Sequence, residues 1–151
     1  MANKIVNHGL SNNLIKELKN NDVIKPEVFF NKETRFDFLI EKNSQKSFVE
    51  VKNVTLFRNK DTAEFPDTVT SRGTKHLLAL IDAIKKGYKS YLLFLVQIQN
   101  MKKFKIAKDL DGEYYKNYMA AKKAGVNFLA YRCNISSKEI FIEKKLKIIN
   151  D

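Results

Sequence analysis

Glu50 and Lys52 stand two positions apart in the run Ser47–Leu56, SFVEVKNVTL, and Asp37 precedes them in Arg35–Leu39, RFDFL. A strand sends alternate side chains to one face, so Glu50 and Lys52 project together. Phe48, Val49, Val51, Val54 and Leu56 mark the same run as largely buried. An acid and an amine on an apolar strand are costly to bury without a partner or a task. Two carboxylates suit a hard divalent cation, Mg2+ or Mn2+, which takes a few acidic oxygens and keeps several waters. The main-chain carbonyl of Val51 could add a ligand, and Glu17, on the first predicted helix, could reach the same ion. Lys52 would then orient an attacking water or stabilise charge developing on a phosphate. Burial pushes such a lysine's pKa down and carboxylates push it up; the sequence leaves that balance open.

The Glu-x-Lys spacing alone is a weak signal. It occurs at Glu17–Lys19, Glu50–Lys52 and Glu143–Lys145, in a chain that is 30% charged. Only the middle copy lies on an apolar strand, behind a second strand that carries its own acid. On the residues alone, an ion pair buried against the sheet explains it equally well.

Several elements must position these groups. Ser11 predicts the N-cap of a short helix through Leu14, Ile15 and Leu18. Val28–Phe30 and Thr34–Glu41 predict two strands joined by a tight turn at Asn31–Glu33. Ser47–Phe57 is the third strand, followed by a polar segment containing Pro66. Leu77, Leu80, Ile81 and Ile84 have helical spacing, predicting a helix from about Ser71 to Lys86 that Gly87 stops. Tyr88–Gln97 reads as a strand buried on both faces. Asp111 predicts the cap of a helix from Gly112 to Ala124, ended by Gly125. Val126–Ile135 and Ile140–Ile142 complete the sheet. The order is α, β, β, β, α, β, α, β, β: an α/β chain with a mixed central sheet and helices on its faces.

The 151 residues predict a single domain with a substantial core, and a net charge of +11 attracts polyanions. Nucleic acid, DNA or RNA, leads that class, although a generally lysine-rich and asparagine-rich composition would raise the charge too. Cys133 is the only cysteine, which excludes an internal disulfide and a thiolate zinc site. No signal-peptide pattern opens the sequence, and its longest apolar run, Tyr91–Val96, is too short to cross a bilayer. A soluble, cytoplasmic protein without a membrane partner is expected. Oligomeric state is open, a homodimer included.

Arg72, Lys75 and His76 cluster near a helix N-terminus, a place where phosphate binds readily. A histidine packed under the helix is the competing explanation for His76. Asp67 is better read as shaping the turn after Pro66, and Gln97 as a cleft residue or a sheet-end hydrogen bond. Tyr114, Tyr115 and Tyr118 have the spacing of a face packed on the sheet. His8 carries no weight.

Longer motifs add to this reading. R35-F-D37-F-L, V49-E-V-K-N-V-T-L56, F65-P-D67, T70-S-R-G-T-K-H-L77, L92-L-F-L-V-Q97 and A130-Y-R-C133 resemble the sugar fermentation stimulation protein (SfsA) family. The resemblance implies a restriction-endonuclease-like PD-(D/E)XK fold, which in that family follows a small N-terminal OB-like barrel, and it implies DNA binding with a regulatory part in sugar metabolism. It places the family's acid on Asp37 and its Glu-x-Lys pair on Glu50 and Lys52, and aligns Asn53, Arg72, Lys75 and His76. Only a short segment precedes the first predicted helix, so this sequence is expected to lack the barrel. No counterpart is evident for the C-terminal helix-turn-helix proposed in some members.

Taken together, the expectation is a Mg2+- or Mn2+-dependent nuclease. Asp37, Glu50 and the Val51 carbonyl hold the metal, Lys52 orients water, and Arg35, Asn53, Arg72, Lys75 and His76 hold nucleic acid. The alternatives are a non-catalytic, sequence-nonspecific DNA-binding regulator and an interaction protein with no nucleic-acid role.

Overall fold

The computed structural model describes residues 1–149. A six-stranded mixed sheet forms its centre, in the order β1 (Val23–Phe29), β2 (Arg35–Lys42), β3 (Gln45–Val54), β6 (Lys89–Val96), β8 (Asn127–Ile135) and β9 (Ile140–Lys145). β1, β2 and β3 form an antiparallel meander, β6 and β8 join β3 in parallel, and β9 returns antiparallel. Helix α1 (Ala2–Ser11) covers one face; α2 (Ser71–Lys85) and α3 (Gly112–Ala124) cover the other. The strands of a parallel centre are buried on both sides. Leu92, Phe94 and Val96 accordingly face the α2–α3 core, while Leu93 and Leu95 face the α1 core.

A second, four-stranded sheet runs in the order β10 (Lys147–Ile149), β7 (Lys103–Ile106), β5 (Thr62–Phe65) and β4 (Leu56–Asn59). Phe94 of β6 stacks on Phe104 of β7 at 4.4 Å between ring centroids and ties the two sheets together. With this sheet set aside, the elements fall in the predicted order αβββαβαββ, the restriction-endonuclease-like core. Among the described residues no helix is long and apolar enough to cross a membrane.

Several boundaries differ from the sequence reading: the first strand, expected at Val28–Phe30, runs Val23–Phe29, and the strand from Ile140 continues to Lys145. The first helix lies before Ser11, which is its last residue rather than the cap of a later helix. Ile5, Val6 and Leu10 are its buried stripe, and Gly9 lets it approach β9 so closely that a Cβ there would stand 2.6 Å from Ile142 Cδ1. Ile15 and Leu18 are buried as expected, but around a single 3-10 turn, Lys16–Leu18. The third strand ends at Val54, and Leu56 begins the second sheet. The supposed polar segment near Pro66 contains the β4–β5 hairpin, and β7 and β10 were not anticipated. These strands span three or four residues each, too short to establish an alternating pattern.

The two helices beside the candidate site share one anchor. Asp111, buried, caps α3 by accepting from the Tyr114 N–H through Oδ1 at 3.0 Å, and accepts from the Thr70 N–H through Oδ2 at 2.9 Å. Thr70 Oγ1 in turn caps α2 by accepting from the Gly73 N–H at 3.0 Å. One carboxylate therefore fixes both helix N-termini.

Candidate active site

The site forms where β2 leaves β3. Their paired register ends at Phe38 opposite Val49. On the other side of β2, Glu27 faces the Asp37 position with a left-handed φ of 53°, a conformation costly for a residue with a Cβ. Phe36 packs in the α2–α3 core and Phe38 in the α1 core, so the strand twists at the residue between them. That twist turns the Asp37 carboxylate into the gap beside β3. There Oδ2 accepts from the Val51 N–H at 2.8 Å, and Oδ1 accepts from Asn3 Nδ2 at 2.9 Å. A strand residue directs its N–H and C=O to the same edge, so the Val51 carbonyl opens onto this gap too.

Glu50, Lys52 and His76 meet on the α2 face. Glu50 is 3% exposed. Its Oε2 lies 2.6 Å from His76 Nδ1 and 3.5 Å from Lys52 Nζ, and Lys52 Nζ is 2.7 Å from the same ring nitrogen. Nδ1 can donate to the carboxylate or accept from the amine, not both at once. Oε1 of Glu50 is buried and has no hydrogen-bond partner among the described residues.

The charges respond to this crowding. Burial and then the neighbouring Glu50 charge push Asp37 up to about 6. Burial would raise Glu50 as well, but the His76 contact and the Lys52 charge outweigh it and hold it below the ordinary range. For Lys52, burial wins over the attraction of Glu50 and Asp37 and lowers its pKa, which decides the balance that the sequence left open.

Arg35, Asp37, Glu50, Arg72, Lys75 and His76 all line one cleft of about 920 Å3 between the β1–β2 hairpin and α2. His76 thus reaches the cleft, with its Nδ1 turned to Glu50 and Lys52. Two expected residues lie elsewhere. Glu17 is on the α1 side of the sheet, where Oε1 accepts from Tyr131 Oη at 2.6 Å and Oε2 from Lys145 Nζ at 2.5 Å. Asn53, exposed, accepts from Gln97 Nε2 at 2.5 Å, which makes Gln97 a sheet-end partner and takes Asn53 off the Glu50 face. Tyr114 and Tyr118 are core residues, and Cys133 is buried with its thiol pushed up to about 11.

Two contributors were missed. Asn3 sits on the buried stripe of α1 at helical spacing from Val6 and Leu10, a signal visible only once that helix is correctly placed. Tyr114 is fully buried under α2, where a Cβ on Gly73 would be 3.1 Å from its ring, and its hydroxyl also lacks a partner. Burial and then the Glu50 charge raise its pKa.

Among the described residues no three His, Cys or carboxylate side chains gather into a closed metal cage. Two carboxylates, one with a free buried oxygen, beside an open main-chain carbonyl nevertheless fit a hard cation that retains waters.

The model for the sugar fermentation stimulation protein RE domain matches residues 1–139. The chain belongs to the SfsA family. It is 74% identical over 149 residues to a sugar fermentation stimulation protein homolog of Pelagibacter ubique, covering 99% of this chain and 64% of that protein. A Bartonella quintana homolog is 37% identical over 152 residues, covering 100% of this chain and 65% of that one. The chain therefore spans just under two thirds of these SfsA relatives. Among solved structures, Pyrococcus furiosus SfsA in complex with Ca2+ matches with a TM-score of 0.85 at 29% identity, over 94% of this chain and 61% of that one.

Proposed function

We propose that this SfsA-family chain is a metal-dependent nuclease that hydrolyses DNA or RNA phosphodiester bonds. The observation that carries the reading is the buried Glu50 Oε1, without a partner among the described residues, beside an Asp37 pushed up to about 6 in a cleft that Arg35, Arg72 and Lys75 also line. Two acids compressed this way want a cation between them. Asp37, Glu50 and the Val51 carbonyl would hold Mg2+ or Mn2+, and the Ca2+ held by Pyrococcus furiosus SfsA supports a divalent ion in this fold. The ion would supply positive charge against the phosphoryl oxygens.

The side chains do the rest. Lys52 keeps its amine within 3.5 Å of Glu50, where it would orient the attacking water or stabilise charge developing on the phosphate. Asn3 and the Val51 N–H fix the Asp37 carboxylate. Arg72 and Lys75, on the first turns of α2, add their charge to the helix N-terminus and draw the phosphate backbone down.

Incubation of the protein with plasmid DNA and with single-stranded RNA, in Mg2+ or Mn2+, tests this. Cleavage that falls about 100-fold or more in Lys52→Ala, with metal affinity retained, is expected. Salt-sensitive binding without cleavage of either substrate would leave the non-catalytic DNA-binding regulator as the better reading.

A further inference from the structure

The cleft has two unlike walls. On α2, Arg72 and Lys75 offer charge. On the hairpin, Phe29 offers an aromatic ring that is 66% exposed, the most exposed aromatic side chain among the described residues. Its neighbour explains why it stays out. Phe30 packs 5.5 Å from both Phe36 and Phe48 and pins the hairpin to the core, so the strand's alternation turns Phe29 outward. Asn31 Oδ1 accepts from the Glu33 and Thr34 N–H groups and stiffens the turn. Arg35, opposite Phe29 in the register, sets its guanidinium carbon 5.9 Å from the ring centroid. Leu78, itself 48% exposed, lines the cleft from α2. A largely exposed aromatic ring with a cation beside it leaves surface free for a base to stack on.

The depth of the acids narrows the occupant. Glu50 is 3% exposed, so a phosphodiester must enter the cleft to reach it. A duplex keeps its bases stacked inside and presents backbone to both walls. A single strand can turn a base toward one wall and its phosphate toward the other. We infer that the cleft selects single-stranded nucleic acid, with an unpaired base stacked on Phe29 and Arg35 while the backbone follows Arg72 and Lys75. This rests on the nucleic-acid reading above and adds the form of the strand.

Fluorescence anisotropy with labelled oligonucleotides of about 12 nucleotides, single-stranded and as the matching duplex, with Ca2+ present, tests it. Wild type is expected to prefer the single strand. Phe29→Ala should weaken that binding about 10-fold, leave duplex binding within about twofold, and leave Ca2+ affinity unchanged; Phe29→Trp should restore the preference. If wild type binds the single strand and Phe29→Ala binds it equally well, the stacking platform is refuted while the nuclease reading stands. If wild type binds neither form, the nucleic-acid reading itself fails.

Discussion

The central sheet carries a glutamate–lysine pair on each face, and the two are satisfied differently. On the α1 side, Glu17 has both oxygens engaged, one by Tyr131 and one by Lys145. On the α2 side, Glu50 has His76 and Lys52 crowded onto Oε2 while Oε1, also buried, has no partner among the described residues. The first is an ion pair that closes its own account of donors and acceptors. The second is left open toward a second acid and a cleft. Burial and charge pairing are common to both; only the free oxygen and the compressed neighbour Asp37 separate a candidate metal ligand from a structural bridge.

The sharpest way to break this comparison is to neutralise each acid in turn. Glu50→Gln should weaken Mn2+ binding by about 100-fold or more, because it removes a charged ligand from a site that has only two. Glu17→Gln should leave Mn2+ affinity within about twofold. Calorimetric titration reads both. A comparable loss in Glu17→Gln would return that residue to the site and dissolve the contrast.

A smaller effect follows from Asp37. Its folded pKa of about 6 lies above the unfolded value of 3.8, so the metal-free protein gains stability from this proton fully below 3.8 and loses it as pH rises through about 6. A cation must displace that proton. Mn2+ affinity is therefore expected to be nearly flat above pH 7 and to drop about tenfold per unit below about 6, with Asp37→Asn weaker throughout and flatter. An equally flat profile for wild type would mean that the two acids do not share the ion.

How much of this was legible in the residues follows the length of the signals. The strand Lys89–Val96 was evident from its continuous apolar run, the helix Ser71–Lys85 from the spacing of Leu77, Leu80, Ile81 and Ile84, and the Asp111 cap from its position before Gly112. The short strands of the second sheet carry too few residues to show a period. Glu17 was misplaced for a related reason. Ile15 and Leu18 mimic a helical face, but the actual helix is upstream, and Glu17 stays with it on the α1 side of the sheet, away from the Glu50 face. Nor could any spacing show the twist at Asp37, where Phe36 and Phe38 turn to opposite cores and Glu27 on the adjoining strand is left-handed. Asp37, Glu50 and Lys52 were recognisable because strand alternation fixes Glu50 and Lys52 on one face; the partners of Glu50 depend on which helix packs above it.

The structural pair should also declare itself, in stability rather than in binding. Burial would raise the Glu17 pKa, but the bonds from Lys145 and Tyr131 outweigh it and lower the value below 4.5. A lowered acid stabilises the fold above its unfolded pKa and stops doing so as pH falls through the folded one. Lys145 is 49% exposed, so solvent screens the pair and its worth is that of a surface bridge with one good hydrogen bond added, about 1 kcal/mol. Glu17→Gln is therefore expected to lower the melting temperature by about 2–4 °C at pH 7 and by less at pH 3.5, which lies below the unfolded carboxylate's 4.5. Thermal unfolding at the two pH values measures the difference. An identical loss at both would assign the effect to packing, and the α1 face would then hold no working ion pair to set against the open one.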